Sequence, residues 1–276
     1  MTGRLAVVAT PIGNLEDMTL RALRTLKEAD VILAEDTRRT RTLCTHHGIA
    51  TPLRAFHAHT PEATVAALVE ELAKGAVLAL VTDAGTPLVS DPGARLVAAA
   101  TAAGIRVEPI PGASAPLAAL VASGLHVGAF RFVGFLPRAG GKRKAALDAL
   151  EVAVEATVFF EAANRLPETL SELAERLPER PAAVARELTK LHEEVARGTL
   201  RELATRYREA PKGEITVVIE GAPERDAPLD EDAVIRQARA LLDEGRKTKA
   251  VAKDLAEAHG IPVRDAYALV LRAAER

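Results

Sequence analysis

The sequence predicts an α/β protein with two domains and a small helical tail. In the first half, short apolar runs alternate with segments of helical periodicity, which is typical of parallel strands covered by helices on both faces. Further apolar runs in the second half indicate a second sheet. After a polar, proline-containing linker at 222–230, every segment has helical periodicity. The predicted domains are therefore 1–113 and 114–222, and the predicted tail is 229–276.

The first domain contains four predicted strands and three predicted helices. The strands are 4–9, 31–36, 76–83 and 105–112, and the helices are 19–28, 61–74 and 93–104. Thr60 is expected to cap helix 61–74, with Pro61 at its first helical position. Gly104 is expected to end helix 93–104. This βαβ order predicts a parallel sheet with both faces covered.

The second domain has its own set of strands and helices. The predicted strands are 130–137, 156–162, 182–189 and 213–221, and the predicted helices are 142–152, 165–176 and 199–209. Residues 192–200 could add a short antiparallel strand. The boundary between the domains falls near 111–124, where a run of small residues indicates a helix packed between two sheets.

The tail is expected to be helical throughout. Its predicted helices are 231–243, 248–258 and 263–274, and a Gly-Ile-Pro turn at 260–262 separates the last two. A helix, a turn of this kind and a second helix resemble a helix-turn-helix unit. Because the turn pattern is common, reading of a DNA groove, contact with RNA and simple packing all remain open.

Composition excludes several protein classes. The chain has 276 residues, of which 48% are hydrophobic and 27% charged, a balance typical of globular proteins. No run approaches the length of a membrane span, and the N-terminal residues are read as a first strand rather than a signal peptide. Cys44 is the only cysteine, so an internal disulfide is excluded. We expect no membrane association and a cytoplasmic location.

Basic residues are grouped although the net charge is only −2. The groups are Arg38, Arg39 and Arg41; Arg138, Lys142, Arg143 and Lys144; and Arg246, Lys247 and Lys249. Three basic groups on a nearly neutral chain fit an enzyme that contacts a polyanion at defined places. Solvated surface charge is an equally good interpretation of any single group.

Three loops at predicted strand ends are rich in Gly, Pro, Ser, Thr and Asp. They are 10–17, 82–93 and 110–115. Ligands of open α/β sheets bind outside the carboxyl ends of the strands, and small residues let a ligand approach the backbone there. We interpret the three loops as a candidate ligand site, with tight structural turns as the alternative.

The loops do not match the motifs of phosphate-binding folds. Neither G-x-G-x-x-G nor G-x-x-x-x-G-K-[ST] occurs, which argues against dinucleotides and nucleoside triphosphates. H-E-x-x-H and paired Cys/His spacings are also absent. The adjacent His46 and His47 point apart, and His57 with His59 makes only a weak H-x-H pair. No metal is therefore expected.

Six segments together resemble one family. They are VVATPIGNLEDMTLRAL (7–23), AEDTRRTRTL (34–43), LVTDAGTPLVSDPG (80–93), PIPGASA (109–115), VFFEAANRL (158–166) and ARELTKLHEE (185–194). In their residues and their order over 4–222, these segments resemble those of the ribosomal RNA 2′-O-methyltransferases of the tetrapyrrole methylase superfamily. The resemblance implies two α/β/α domains with a cofactor cleft between them.

The resemblance also implies a function. A member of this branch uses S-adenosylmethionine to methylate the ribose of a decoding-centre cytidine in the 16S RNA of the small ribosomal subunit, and superfamily members generally form homodimers. The alternatives are a methylase of a tetrapyrrole or a diphthamide precursor, which share the superfamily, and a non-catalytic RNA-binding module. The basic groups and the tail favour the RNA enzyme.

The resemblance assigns the cofactor to the three loops and to the second domain. Relatives that act on tetrapyrroles carry G-x-G-P-G-D where this chain has Ala9–Asn14. Because S-adenosylmethionine has no phosphates, shape and apolar contact suffice there. The residues implied are Pro11, Ile12, Gly13, Asp83, Gly85, Thr86, Pro87, Ser114, Ala115, Glu161, Arg186, Glu214 and Ile215. The chain departs from the family at Asn164, where a histidine is common, so this position is a poor candidate for a base.

Candidates for the acceptor side come from two of the segments. Lys190 could act as a base or hold the hydroxyl oxygen, and Glu187 or Glu35 could take the proton instead. His57 could also act as a base or bind the RNA. Simple salt bridges, such as Glu187 with Lys190, are the structural alternative. The candidate RNA contacts are Arg38, Arg39, Arg41, His57, Lys142, Arg143 and Arg165.

Overall fold

A computed structural model describes residues 3–223 and 231–274. The chain divides into two units, Met1–Gly221 and Ala222–Arg276. The first unit contains two five-stranded sheets, and the described part of the second is helical. The α/β class with two sheets and C-terminal helices is as predicted, whereas the domain boundary at 113/114 stays a prediction.

The first sheet is parallel throughout, in the order β3-β2-β4-β1-β5. Its strands are β1 (Arg4–Val8), β2 (Val31–Ala34), β3 (Leu53–Ala55), β4 (Val77–Leu80) and β5 (Arg106–Ile110). Its helices are α1 (Leu20–Glu28), α2 (Thr37–His46), α3 (Glu62–Ala73) and α4 (Ala94–Ala102). Parallel strands place all their carboxyl ends at one edge, and the three predicted loops lie at this edge.

Alternate strand residues form two cores, one on each face of the first sheet. Val8 and Ile32 pack with Leu26 of α1 and Leu43 of α2. On the other face, Leu5, Leu33 and Leu78 pack with Leu68 and Leu72 of α3 and Leu96 of α4. Burial on both faces explains why these strands are continuous apolar runs in the sequence.

Three features of the first sheet differ from the prediction. Helix α2 and strand β3 were not expected: α2 buries only Thr40, Leu43 and Cys44, and β3 is three residues long. The predicted cap at Thr60 is wrong, because its hydroxyl oxygen accepts the His57 N–H at 2.9 Å, and α3 begins after it without a side-chain cap.

The second sheet has the order β6-β7-β10-β8-β9, with β6 parallel to β7 and the other pairs antiparallel. Its strands are β6 (Phe130–Phe135), β7 (Ala156–Glu161), β8 (Pro181–Arg186), β9 (Glu194–Thr199) and β10 (Ile215–Ile219). Its helices are α5 (Ala115–Ser123), α6 (Gly140–Glu151), α7 (Leu166–Arg176) and α8 (Leu200–Arg206). Strand β9 confirms the antiparallel segment expected at 192–200.

Two packing arrangements cover the second sheet. Leu147 of α6, Leu170 of α7 and Leu203 of α8 pack on one face. The other face carries α5, through Ala119, together with Ile12 from the loop after β1. A side chain of the first sheet's loop is thus part of the second sheet's core.

The tail unit consists of α9 (Glu231–Asp243), α10 (Thr248–His259) and α11 (Val263–Ala274), as predicted. Val234, Leu255 and Val270 belong to its own apolar core. Gly260 ends α10 with a φ of 56°, a conformation that favours glycine. Of the predicted linker 222–230, residues 224–230 lie outside the described residues. No helix in the described ranges has the length and apolarity that crossing a bilayer requires.

Candidate functional site

Two adjoining cavities lie where the carboxyl edge of the first sheet meets the second sheet. The first, of about 430 Å³, is lined by the loops after β1, β4 and β5 and by the ends of β7, β8 and β10. The second, of about 320 Å³, is lined by the loops after β1 and β4, by α2 and by Lys190. Ile12, Ala84 and Glu214 line both cavities. Two ligands bound there would therefore be neighbours.

Two loops around the cavities contain strained backbone. Among the described residues, the non-glycine residues with positive φ are Leu88 (74°) and Ser90 (67°) in the loop after β4, and Glu187 (53°) and Thr189 (65°) in the loop after β8. Such conformations disfavour residues with a Cβ and persist where the surroundings impose them. The strain is confined to the two loops that carry cavity-lining residues.

Close packing joins the loops to one another. The backbones of Thr10 and Gly85 exchange hydrogen bonds of 2.9 and 3.0 Å, and the Asn14 N–H donates to the Thr189 hydroxyl at 3.0 Å. A Cβ at Gly13 would lie 2.5 Å from Lys190 Cγ and 2.7 Å from the Leu188 carbonyl oxygen. Only glycine fits at this position, because the loop after β8 passes directly against it.

The structure brings most of the candidate cofactor residues to the cavities. Those lining the first cavity are Ile12, Gly85, Thr86, Ser114, Ala115, Glu161, Glu214 and Ile215. Those lining the second are Pro11, Gly13 and Asp83, with Ile12 and Glu214 again. Pro87 is buried and lines neither cavity. Arg186 lines neither cavity: its guanidinium donates to Glu194 at 2.9 and 3.0 Å.

The first cavity is mostly apolar. Phe135 and Phe160 stand on one side with ring centroids 5.4 Å apart, and Leu188 closes another part of the wall. Asp91 is the lining carboxylate that the loop after β4 contributes. We did not predict these four residues, although Asp91 lies within the segment 80–93 that carries the family resemblance.

Glu161 belongs to a buried network at the floor of the first cavity. Its carboxylate accepts from the Thr169 hydroxyl at 2.7 Å and from the Ala162 N–H at 2.9 Å. Arg165 lies 3.4 Å from the same carboxylate and donates to the carbonyl oxygens of Leu136 and Pro137 at 3.2 Å. The network joins the ends of β6 and β7. It also engages the guanidinium of Arg165, which the sequence predicted as an RNA contact.

Arg143 is engaged by residues of the second domain. The side chain is 7% exposed and pairs with Glu172 at 2.7 Å, and it also donates to the Thr169 hydroxyl at 3.0 Å. It lies on the same face of α6 as the buried Leu147 and Leu150, so it points into the domain. Burial and pairing with Glu172 weigh against the expected RNA contact at Arg143, which stays a prediction.

Lys190 is the centre of a charged triad at the second cavity. Its Nζ lies 2.9 Å from Glu187 Oε1 and 2.9 Å from Glu214 Oε2. Burial acts to lower the pKa of the ammonium, but the hydrogen bonds to Glu187 and Glu214 outweigh it, so the pKa is raised. The Glu214 N–H and Lys190 in turn lower the pKa of Glu187. Lys190 and Glu187 therefore form the salt bridge that the sequence predicted as the structural alternative.

A second charged group faces the triad from the first sheet. The Asp83 carboxylate accepts the Asp36 N–H at 3.0 Å and lies 3.4 Å from Arg39. Asp36 caps α2, and the Arg38 guanidinium, bound at 2.7 Å, holds the pKa of that carboxyl well below its usual range. Arg39 and Asp83 both line the second cavity.

A third acidic group surrounds the Thr82 hydroxyl. Thr82 donates to Glu35 at 3.1 Å. Burial raises the pKa of Asp91 to about 6; the hydrogen bond from Thr82 opposes this shift, and the charges of Glu35 and Asp83 add to it. Thr82 lines the second cavity and Asp91 the first. The group therefore lies across the boundary between them.

The remaining candidate RNA contacts are on the surface. Arg38 is 89% exposed and Arg39 67% exposed, and Arg41 follows on the exposed side of α2. His57 and Lys142 are exposed as well and line neither cavity. Three or more His, Cys, Asp or Glu placed to hold a metal ion are not found among the described residues.

Comparison with known proteins agrees with this geometry. Residues 4–204 match the family model of tetrapyrrole (corrin/porphyrin) methylases. The chain belongs to this methylase family. Among curated family members, the chain is similar to the ribosomal RNA small subunit methyltransferase I of Mesorhizobium japonicum, at 49% identity over 90% of this chain and 86% of that protein. The protein of the same name from Halalkalibacterium halodurans is 44% identical over 96% and 93%.

Solved structures of the family share the fold. A uroporphyrin-III C-methyltransferase from Thermus thermophilus has a TM-score of 0.56 and 26% identity, covering 78% of this chain and 94% of its own. A diphthine synthase has a TM-score of 0.60 at 19% identity, covering 79% and 90%. Both matches thus leave about a fifth of this chain without a counterpart.

Proposed function

We propose that this chain transfers a methyl group from S-adenosylmethionine to a ribose 2′-hydroxyl of 16S RNA, at a cytidine of the decoding centre of the small ribosomal subunit. The observation that carries the proposal is the pair of cavities that share Ile12, Ala84 and Glu214. A methyl donor and its acceptor must be in contact during transfer, and the shared wall provides this contact. The curated relatives named above support an RNA acceptor.

The first cavity fits the cofactor. Its volume of about 430 Å³ lies in the range of small-molecule sites, and its mostly apolar wall suits a ligand without phosphates. Gly85, Ser114 and Ala115 supply backbone and small side chains, and Ile215 supplies apolar contact. Glu161 positions the wall from beneath through its buried network.

When bound, S-adenosylmethionine supplies an electrophilic methyl group on a sulfonium. The residues of the chain mainly provide alignment, which is worth roughly 7 kcal/mol in well-oriented reactions. The loop after β1 packs against the strained loop after β8 at Gly13 and exchanges hydrogen bonds with the loop after β4 at Gly85, which supports this alignment.

Lys190 stabilises negative charge on the acceptor oxygen. Its raised pKa keeps the ammonium charged near neutral pH, so of the two roles predicted for it we propose the second, holding the hydroxyl oxygen. Glu187 and Glu214 orient the ammonium. A cation that is already fixed beside a developing oxyanion stabilises the transition state without having to reorient.

Helix α2 provides the RNA-facing side of the second cavity. Arg39 lines the cavity, and we propose that Arg38 and Arg41 bind phosphates next to the target nucleotide. His57 and Lys142 remain proposed contacts at the periphery. An rRNA acceptor also implies that the protein works in the cytoplasm.

The experiment compares three acceptors with one labelled cofactor. Binding of S-adenosylmethionine is measured by calorimetry, and methyl transfer is then measured to purified small subunits, naked 16S RNA and a uroporphyrinogen. We expect transfer to RNA, with 2′-O-methylcytidine as the only labelled nucleoside after digestion. Transfer to the tetrapyrrole, or binding without transfer to any RNA, would contradict the proposal.

We also propose a homodimer. Strand β6 is an edge strand, and three of its apolar side chains, Phe130, Val133 and Phe135, are 42%, 41% and 56% exposed. Exposed apolar residues on an edge strand favour association with a partner. Light scattering of the purified protein tests this: we expect twice the chain mass, and a Phe130→Glu variant should lower it.

A further inference from the structure

We propose that Asp91 is the catalytic base that takes the proton of the acceptor hydroxyl. This inference rests on the proposed function and deepens it, since it assigns a step for which the sequence offered Lys190, Glu187 or Glu35. Four observations support it: the position of Asp91, the lack of a counter-cation, the single proton of Thr82 and the charges nearby.

The first observation is position. Asp91 lines the first cavity, while Thr82, whose hydroxyl lies beside the Asp91 carboxyl, lines the second. Ser90, directly before it, has a φ of 67°. A Cβ at Gly93, two residues later, would lie 2.8 Å from Leu80 Cδ2. Backbone conformations that are unfavourable for most residues thus flank Asp91, and its carboxyl lies in the first cavity beside a residue that lines the second.

The second observation comes from the other carboxylates of the cavities. Asp83 is held by Arg39 and by the Asp36 N–H. Glu187 and Glu214 share Lys190.

Glu161, the fourth such carboxylate, is buried with Thr169 and Arg165. Each of the four thus has a cationic partner within 4 Å. Asp91 differs, because no Lys or Arg in the described ranges lies within ion-pairing distance of it.

The third observation concerns Thr82. A hydroxyl has one proton to donate, and the Thr82 hydroxyl has two carboxylate neighbours, Glu35 at 3.1 Å and Asp91. Thr82 therefore cannot stabilise Glu35 and Asp91 as anions at the same time. Glu35 lines neither cavity, so of the two carboxylates Asp91 is the one that a ligand can reach.

The fourth observation is the charge that surrounds Asp91. Burial, Glu35 and Asp83 hold its pKa at about 6 against the hydrogen bond from Thr82, and Arg39 partly offsets the charge of Asp83. A carboxylate with this pKa is ionised at neutral pH and is still basic enough to bind a proton, which is the compromise a general base needs. A cation in the first cavity would favour the ionised form further.

The proposed step transfers one methyl group to the 2′-oxygen and one proton away from it. The 2′-oxygen forms a bond to the methyl carbon, the carbon–sulfur bond breaks, and its electron pair stays on sulfur. The hydroxyl proton passes to Asp91, which becomes neutral, while the sulfonium becomes an uncharged thioether. Lys190 stabilises the oxygen during the transfer.

The first test measures the isolated protein. Carbon-13 NMR of carboxyl-labelled protein is recorded from pH 4 to 8, for the wild type and for Asp91→Asn. We expect one carboxyl signal that titrates near pH 6 in the wild type and is missing in the variant. If no signal titrates in this range, or if the signal persists in Asp91→Asn, the inference is overturned.

The second test separates catalysis from binding. Single-turnover methyl transfer to small subunits is measured for the wild type, Asp91→Asn and Glu35→Gln, and calorimetry with S-adenosylhomocysteine measures ligand binding and reports folding. We expect Asp91→Asn to lower the rate by about 100-fold or more, with an unchanged dissociation constant and without the wild-type fall in rate below pH 6. We expect a smaller loss for Glu35→Gln.

Three outcomes would overturn the inference while the proposed function stands. They are a normal rate in Asp91→Asn, a weakened dissociation constant as its only effect, and a larger loss in Glu35→Gln than in Asp91→Asn. If the wild type transfers no methyl group to RNA, the proposed function fails instead. The NMR titration then still reports whether Asp91 is poised to bind a proton.

Discussion

The Nζ of Lys190 lies 2.9 Å from Oε1 of Glu187, in a loop where Glu187 itself has a φ of 53°. The strained backbone and the ion pair occur together, because the left-handed conformation turns the carboxylate back toward the lysine three residues later. Glu214 completes the triad from the start of β10. The ammonium is therefore fixed at the second cavity before any ligand arrives.

The triad predicts the effect of replacing Lys190. Lys190→Met should lower the single-turnover rate about 100-fold by removing the fixed cation, and the dissociation constant for S-adenosylmethionine should change little. Lys190→Arg keeps the charge and should recover part of the rate. Rapid-quench measurements with small subunits test both variants, and full turnover in Lys190→Met would remove this residue from the mechanism.

Gly13 gives a prediction about loop packing. Gly13→Ala places a Cβ 2.5 Å from Lys190 Cγ and 2.7 Å from a backbone oxygen, so the two loops must separate. We expect a loss of about 1–3 kcal/mol in the free energy of unfolding and at least tenfold weaker cofactor binding. Gly128→Ala is the control, because a Cβ there meets nothing within 4 Å. Equal behaviour of the two variants in urea unfolding and calorimetry would contradict this account.

Arg143 should matter for stability and not for RNA binding. Arg143→Met leaves Glu172 without its partner, and we expect a loss of about 2–3 kcal/mol, below the value for fully buried pairs because Glu172 is 35% exposed. Denaturant unfolding measures this loss. The salt dependence of RNA affinity should stay unchanged at temperatures where the variant is folded.

Arg41 should behave in the opposite way. Arg41→Ala removes an exposed cation of α2, so RNA affinity should fall and the slope of log affinity against log salt should flatten by about one. Thermal stability should not change. Arg208→Ala, an exposed arginine after α8, is the control, and an equal change of slope in both variants would show that the effect is non-specific.

The pKa of Asp91 has a consequence for stability. The folded value of about 6 exceeds the ordinary value of 3.8, so the folded protein binds more protons than the unfolded chain between these values. Stability therefore falls as the pH rises from about 4 to 6 and stays lower above. Asp91→Asn removes this penalty. Its Tm should exceed that of the wild type at pH 7.5, and the difference should shrink toward pH 4 in calorimetric scans.

Strands and loops of the first sheet were readable from the sequence because each buried strand is a short apolar run followed by small residues. Helix α2 was not readable, since only Thr40, Leu43 and Cys44 among its ten residues are buried. Its sequence is otherwise polar, and tertiary contact rather than periodicity decides that it is helical.

The candidate site was predictable to the level of loops and less so to the level of side chains. The resemblance identified the segments. Only the packing of the fold shows which of their residues line the cavities and which are engaged elsewhere. Arg143 is buried although arginine is rarely buried, and Arg186 is engaged by Glu194. Asp91 went unnoticed because its significance depends on its position beside Thr82 and Glu35, which only the fold creates.

Ile12 belongs to the loop after β1, yet its side chain, 8% exposed, packs with Ala119, Val158 and Leu188. Swinging the two sheets apart would pull an isoleucine out of an apolar core, at a cost of about 1.5–3 kcal/mol before other contacts are lost. We therefore expect substrates to enter and products to leave by local movement of loops and side chains, without a hinge motion between the two sheets.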